Sequence, residues 1–216
     1  QRYGADAVRA FLMFFSRWDM GGPWSSGGID GVNRWLRRVW TTLLEPLDTV
    51  AVKEEAVKVL RRKVHQTLKV VTNDFEQFEF NTIVSGLMEL MNEMTKLKAD
   101  TYGSPAWDEV CEIYVKMLAP VAPHMTEEMW QEMGKPYSIH TQSWPKVDEA
   151  AAKDEEITLV VQVNGKVRDR IQVAVDVSEA DAKEKALASE MVQKSLEGKT
   201  PRQVIYVKGR LVNIVI

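Results

Sequence analysis

The residue types that most often do chemistry are few in this sequence, and they are scattered. The three histidines, His65, His124 and His140, stand in unrelated contexts and lack the H-x-x-x-H spacing that lets two imidazoles share a metal. His124 lies just before Thr126, Glu127 and Glu128 at an expected helix start, so it reads as a capping or packing residue rather than an acid or base. Cys111 is the single cysteine and sits in a helical pattern; it permits neither a disulfide nor a multi-cysteine zinc site. No G-x-x-x-x-G-K-[ST] loop, dinucleotide fingerprint or G-x-S-x-G elbow occurs. The run from Gly21 to Gly28 could cradle an anion but reads as a connecting turn. No catalytic residue, metal ligand or cofactor site is therefore assigned to this chain.

What the sequence offers instead is cations. Arg34, Arg37 and Arg38 fall on one face of an expected helix beside Trp35 and Trp40, where they could hold nucleic-acid phosphates or form an ordinary solvated face. Lys166, Arg168 and Arg170 alternate along an expected strand, which predicts that all three project from one face of a sheet and that this face is not core. Lys199, Arg202, Lys208 and Arg210 follow in turns and at strand ends, a bias that suits shape-based contact with folded RNA; the competing reading is a solubilising surface. Charge is divided unevenly. Residues 1–156 hold 18 Lys and Arg against 24 Asp and Glu, a net of −6, while residues 157–216 hold 10 against 7, a net of +3. The overall −3 conceals a basic tail.

Two different scaffolds must position these cations. Over the first two-thirds, apolar residues recur at three- and four-residue steps, which predicts helices. Ala7, Ala10, Phe11, Phe14 and Phe15 make the first apolar face, and a loop spans Asp19 to Gly28. Val32, Trp35, Leu36, Val39, Trp40, Leu43 and Leu44 form the next face, which Pro46 ends. A long helix from Lys53 to Phe75 places Val57, Leu60, Val64, Leu68, Val71 and Phe75 on one stripe. Asn81 is expected to cap another, with Ile83, Val84, Leu87, Leu90, Met91, Met94 and Leu97 inward and a turn from Asp100 to Ser104. Ser104 and Pro105 start a helix to Ala119, and Thr126 opens a short one closed near Gly134. The methionines, among them Met88, Met117, Met129 and Met133, read as core filler.

Lys135 to Glu156 reads as an exposed linker. Beyond it the apolar period becomes two: Ile157, Leu159, Val161 and Val163 share a strand face, Asn164-Gly165 makes a hairpin turn, and Val167, Ile171, Val173 and Val175 continue in a second strand. Ser178 is expected to cap one helix to Leu196, followed by strands at Val204–Val207 and Leu211–Val215. The fold class is thus mainly α, an antiparallel helical bundle followed by a small α+β tail of order ββαββ. At about 60 residues the tail is near the lower size for independent folding. With 45% hydrophobic and 27% charged residues in 216, the chain can bury one or two cores. Its longest apolar stretches, such as Ala10 to Phe15, fall short of the roughly 20 residues a membrane span needs. The lone cysteine points to an intracellular location, and the start at Gln1, without Met or a signal peptide, reads as the interior of a longer protein.

Several segments resemble one family. Tyr3-Gly-Ala-Asp-Ala-Val-Arg9, Gly31-Val-Asn-Arg-Trp-Leu-Arg-Arg-Val-Trp40, Phe80-Asn-Thr-Ile83 and Met88-Glu-Leu-Met-Asn92 are similar to the C-terminal half of bacterial-type leucyl-tRNA synthetases, which are class I aminoacyl-tRNA synthetases. So are Leu118-Ala-Pro-Val-Ala-Pro-His-Met-Thr-Glu-Glu-Met-Trp130, Ser143-Trp-Pro145, Val161-Gln-Val-Asn-Gly-Lys-Val-Arg168 and Val204-Ile-Tyr-Val207. The resemblance covers essentially the whole chain. It implies a stem-contact segment over residues 1–28, a helical anticodon-binding domain over 29–134, a linker over 135–156 and a C-terminal tRNA-binding domain over 157–216.

The K-M-S-K-S and H-I-G-H motifs of the family are absent, so the resemblance implies that the Rossmann catalytic domain, which uses ATP and magnesium, and the editing domain lie upstream. The implied partner is tRNA(Leu). The tail is similar to a flexibly tethered module that touches the corner and long variable arm of that tRNA, while the helical domain braces the stem side without reading the anticodon. The expectation is a monomeric, cytoplasmic tRNA-binding piece that does not aminoacylate alone. Competing readings are a protein-interaction module docking through Trp- and Met-rich helix faces, and the isoleucine or valine enzyme, against which the lone Cys111 and the tail's order argue.

Overall fold

The apolar period of the first two-thirds becomes six helices: α1 (Ala5–Phe14), α2 (Gly28–Leu44), α3 (Glu54–Glu76), α4 (Phe80–Thr101), α5 (Pro105–Leu118) and α6 (Pro123–Glu132), followed by a 3-10 turn at Ile139–Thr141. A computed structural model describes residues 3–17, 19–22, 27–48, 51–153, 156–175, 177–196 and 198–216. The long helices α3 and α4 are joined by only three residues, Gln77 to Glu79, so they pack as an antiparallel pair, with α5 against both. Leu60, Val64, Leu68 and Val71 of α3 meet Ile83, Leu87, Met91 and Met94 of α4 and Tyr114 and Met117 of α5 in one fully buried core. At about 25 cal/mol per Å² of apolar surface removed from water, such burial is the main term holding the bundle together. No helix among the described residues is long and apolar enough to cross a membrane.

Helix starts follow local chemistry in some places and tertiary contacts in others. Ser104 Oγ accepts from the Trp107 amide at 3.1 Å with Pro105 in the first helical position, as expected. Asn81 is not a cap: α4 begins one residue earlier, and the Asn81 side-chain oxygen is buried without a partner. Likewise α6 opens at Pro123, and Thr126 sits a turn inside, its hydroxyl donating to the Ala122 carbonyl at 3.0 Å. The cap of α6 comes from a distant residue, Asp6, whose carboxylate accepts from the Met125 amide at 2.7 Å. On α1, Ala7, Ala10 and Phe11 are buried as expected, but Met13 takes the last inward position and Phe14 is left 37% exposed. Of the expected loop from Asp19 to Gly28, residues 23–26 lie outside the described residues. A Cβ on Gly28 would lie 2.7 Å from the Phe11 ring, so glycine lets α2 begin directly against α1.

The stretch expected to be an exposed linker is instead packed as far as Ala152: residues 135–140 lie against α5 and α6, and residues 144–152 lie along α3. The Trp144 indole donates to Thr72 Oγ1 at 2.9 Å and stands edge-on to Phe75. Asp148 takes Arg61 at 3.1 Å and donates its amide to His65 Nδ1 at 3.2 Å; Lys69 pairs with Glu149 at 3.0 Å; Gln66 donates to the Ala152 carbonyl at 3.0 Å. Its polar composition was the reason to expect exposure, yet those polar groups match donors and acceptors on the outer side of α3. The first compact unit accordingly runs Gln1–Lys153 and the second Asp154–Ile216.

In the second unit β1 (Glu156–Val163), β2 (Lys166–Ala174), β3 (Gln203–Val207) and β4 (Leu211–Val215) form a sheet of order β2-β1-β4-β3. Neighbours pair antiparallel except β1 with β4, which are parallel. Asn164 and Gly165 both have positive φ, 48° and 77°, the requirement of a type I′ hairpin turn. The single helix expected after Ser178 is two, α7 (Glu179–Ala188) and α8 (Glu190–Leu196), so the order is ββααββ. Ser178 does cap α7, accepting from the Asp181 amide at 3.1 Å. The break falls at Ser189, whose hydroxyl donates to Asp169 on β2. Both helices cover one sheet face, burying Ala182, Ala186, Val192 and Leu196 against Leu159, Val161, Val212 and Ile214.

Candidate nucleic-acid interface

On α2 the buried face is Ile29, Val32, Trp35, Leu36, Val39 and Leu43, and this leaves Arg34, Arg37 and Arg38 exposed on the opposite side. Trp35 is only 3% exposed and cannot stack on a base; Trp40 is half-buried. The nearest acid one turn before Arg34 is Asp30, and its carboxylate instead accepts from the Tyr3 hydroxyl at 2.7 Å. None of the three arginines takes part in an ion pair or side-chain hydrogen bond among the described residues.

In the tail, Lys166, Arg168 and Arg170 are all exposed, but they do not share one face. The ladder pairs Val161 with Asp169 and Gln162 with Val167, so Arg168 is the extra residue of a β-bulge. One extra residue inverts the side-chain phase. Lys166 pairs with Val163 on the helix-covered side, whereas Arg170 pairs with Val160 on the open side. The seven candidate cations of the tail, out of its ten Lys and Arg, then fall into two groups by their ladder positions. Lys166 and Arg168 border the β1–β2 hairpin; Arg202, whose amide donates to Val215 O, stands at the same end of the sheet but on its opposite edge, with Lys199 three residues before it. Lys208 and Arg210 occupy the β3–β4 turn; the Arg210 carbonyl accepts from the Val160 amide, and Val160 also pairs with Arg170. Asn164 and Asn213 brace the hairpin end, accepting from the Ile216 and Gly165 amides, each at 3.1 Å.

Other charged groups are occupied. Arg61 grips Glu109 with two bonds, at 2.7 and 3.1 Å, and holds that carboxyl below its ordinary range. His65 is buried, with Nδ1 accepting from the Asp148 amide and Nε2 therefore donating to Glu109 at 3.3 Å, a structural role. His124 lies 2.8 Å from Asp6, and His140 3.1 Å from the Pro123 carbonyl. Burial pushes the Cys111 thiol far up, which keeps it neutral and poorly nucleophilic. No group of three His, Cys, Asp or Glu among the described residues could hold a metal ion. Trp35, Trp107, Trp130, Met91, Met94, Met117 and Met129 lie in the core, so these residues form no docking face.

Comparison with known proteins adds an independent observation. Residues 57–184 match the anticodon-binding domain of tRNA ligase. The chain belongs to this family. The match begins in α3 and ends in α7, so this anticodon-binding-domain protein also extends beyond the matched region at both ends. It is 50% identical over 214 residues to a leucine-tRNA ligase of Dehalococcoides mccartyi, covering 99% of this chain and 26% of that protein. It is 48% identical to the leucine-tRNA ligase of Deinococcus radiodurans and 38% identical to that of Thermotoga maritima, each over 100% of this chain but only 26% and 28% of theirs. The chain thus spans about a quarter of the length of these relatives. Among solved structures, the Agrobacterium radiobacter K84 agnB2 LeuRS, in ternary complex with tRNA and LeuAMS, superposes with a TM-score of 0.80 at 28% identity, over 100% of this chain and 29% of that one.

Sequence reading missed the open sheet face of this family member. Val167 is 49% exposed, and Ile205 and Val207 39% each. The signal was present, since β4 reads Leu-Val-Asn-Ile-Val with apolar residues on both parities, but the two faces of an isolated strand cannot be told apart without knowing which one α7 and α8 cover.

Proposed function

We propose that this chain is the tRNA-binding part of a leucine-tRNA ligase and positions tRNA(Leu) for a catalytic domain elsewhere in the intact protein. The observation that carries this reading is the set of ten exposed cations that have no acidic partner among the described residues, Arg34, Arg37, Arg38, Lys166, Arg168, Arg170, Lys199, Arg202, Lys208 and Arg210. An unpaired cation on a rigid scaffold can neutralise a phosphate without first breaking an ion pair. Their grouping around the edges of a small sheet suits recognition of RNA by shape. The stem-contact segment over 1–28 and the helical part would support the stem side, and the tail the corner and variable arm. Leucylation with ATP and magnesium, and editing, belong in this reading to upstream domains; the protein is monomeric and cytoplasmic, and this piece alone does not aminoacylate.

The test is a salt-dependent binding comparison of tRNA(Leu), tRNA(Ile) and a tRNA(Leu) lacking its variable arm. Binding to tRNA(Leu) should weaken linearly on a log-log scale with salt, with a slope of about 0.7 to 0.9 per phosphate contact. Undetectable binding at low salt would remove the reading. Equal affinity for all three RNAs would remove its specificity.

A further inference from the structure

We propose that Asp169 and Ser189 are positioning residues for RNA binding: the Ser189 hydroxyl holds the Asp169 carboxylate beneath the helices of the tail and so keeps it from neutralising Arg168 and Arg170. The proposal rests on the reading of the tail's arginines as phosphate ligands.

The sequence Arg168-Asp-Arg170 sets the problem, because it puts a carboxylate between two arginines of the candidate interface. A carboxylate free to move there would compete with phosphate for both guanidinium groups. The strand ladder takes it elsewhere. Asp169 pairs with Val161, which is fully buried beneath α7 and α8, so the Asp169 side chain leaves β2 on the helix-covered side. Ile171 and Val173 continue that side as part of the tail's core. Arg170 pairs with Val160 on the open side, and Arg168, the extra residue of the bulge, is exposed.

A carboxylate turned toward a core needs donors. Two reach it. Its Oδ1 accepts from the Arg170 amide at 2.7 Å, and its Oδ2 accepts from the Ser189 hydroxyl. The second donor comes from 20 residues away, at the point where the helix layer is interrupted. Ser189 is extended, with φ −62° and ψ 128°, between the end of α7 and the start of α8. Its hydroxyl oxygen also accepts from the Val192 amide at 3.4 Å, so Ser189 begins α8 while directing its one hydroxyl proton to β2. The break between the helices and the bulge in the strand thus meet in one hydrogen-bonded pair. The Ser189 bond first, and the Arg170 amide after it, hold the Asp169 carboxyl below its ordinary range. The group stays ionised, and its charge is satisfied by these two donors rather than by the arginines beside it.

The experiment measures tRNA(Leu) affinity and its salt slope in the intact protein carrying Asp169→Glu, Asp169→Asn, Ser189→Ala, or Ser189→Ala with Asp169→Asn. Asp169→Glu keeps the charge but carries it one methylene beyond its two donors, and Ser189→Ala removes one donor. Each should weaken binding about three- to tenfold, since an exposed ion pair competes only modestly with a phosphate, and should lower the salt slope by about one phosphate contact. Asp169→Asn should bind no less tightly than the unaltered protein, and the double variant should recover what Ser189→Ala loses, because neither carries a charge at this position. If Asp169 merely braced the fold, Asp169→Asn would bind as poorly as Asp169→Glu and the double variant would not recover; either result overturns the proposal. Unaltered affinity in both Asp169→Glu and Ser189→Ala overturns it too. Urea unfolding checks each variant, and the comparison of Asp169→Glu with Asp169→Asn decides the matter even where Ser189→Ala does not fold. Absence of tRNA(Leu) binding by the unaltered protein at low salt is a separate result: it removes the reading of the arginines as phosphate ligands, and the proposal with it.

Discussion

In the helical unit Arg9, Arg17, Lys53, Arg61, Lys69 and Lys116 each sit within ion-pair distance of a carboxylate, whereas in the tail Lys183 alone does so among the described residues. The difference has two physical consequences. A paired cation fixes neighbouring elements; Arg61 ties α3 to α5 and to the segment around Asp148. An unpaired cation remains available to an outside anion. The three arginines of α2 are the notable departure from the helical unit's habit, so a net charge of −6 over residues 1–156 does not prevent that part from presenting a local basic face.

The strongest way to break this comparison is to ask whether the two units are energetically separate. Leu87→Ala, at a position with no exposure, should cost roughly 2–5 kcal/mol and lower the helical unit's melting transition while leaving the tail's in place. Calorimetry showing both transitions moving together would deny the separation. Next in size, Arg168, Arg170 and Arg202 changed together to Ala should weaken tRNA(Leu) binding by roughly tenfold or more and flatten its salt dependence. The same change at Arg61 with Lys69, which already have acidic partners, should leave the salt slope unaltered.

Smaller effects sharpen the picture. Ser178→Ala removes the cap of α7 and should cost the tail about 0.5–2 kcal/mol, read from urea unfolding of the tail. Arg61→Ala should cost at most about 1 kcal/mol, since the pair is partly exposed, yet it should speed proteolysis between Trp144 and Ala152. Acid should reproduce that loosening. Hydrogen bonding from Arg61 depresses the Glu109 carboxyl, so its contribution is complete above the unfolded value of about 4.3 and is lost as pH falls through the lower folded value. Protection of the segment that stays constant through that acid range would show that the ion pair does not hold it.

Local sequence signals carried the helix faces and much of the tail. The stripe of Leu60, Val64, Leu68 and Val71, the hairpin at Asn164 and Gly165, and the caps at Ser104 and Ser178 all follow from periodicity or from a side chain reaching its own neighbours. The basic character of the tail was likewise legible from composition. Which cations share a surface was not, because one extra residue at Arg168 inverts the phase of β2. The docking of residues 144–152 was hidden in the same way: a polar segment reads as solvated until its partners on α3 are known.

By itself the sequence determined most of the helices and strands, because those depend on periods of 3.6 and 2 and on neighbours within a turn, though not the break between α7 and α8 or the starts of α4 and α6. Only the tertiary structure decided that Asp6 caps a helix 119 residues away, that β1 lies parallel beside β4, and that Val8 and Leu12 of α1 stay partly exposed. Each of these is a contact, or a missing contact, between residues far apart in the chain, and no local pattern encodes it.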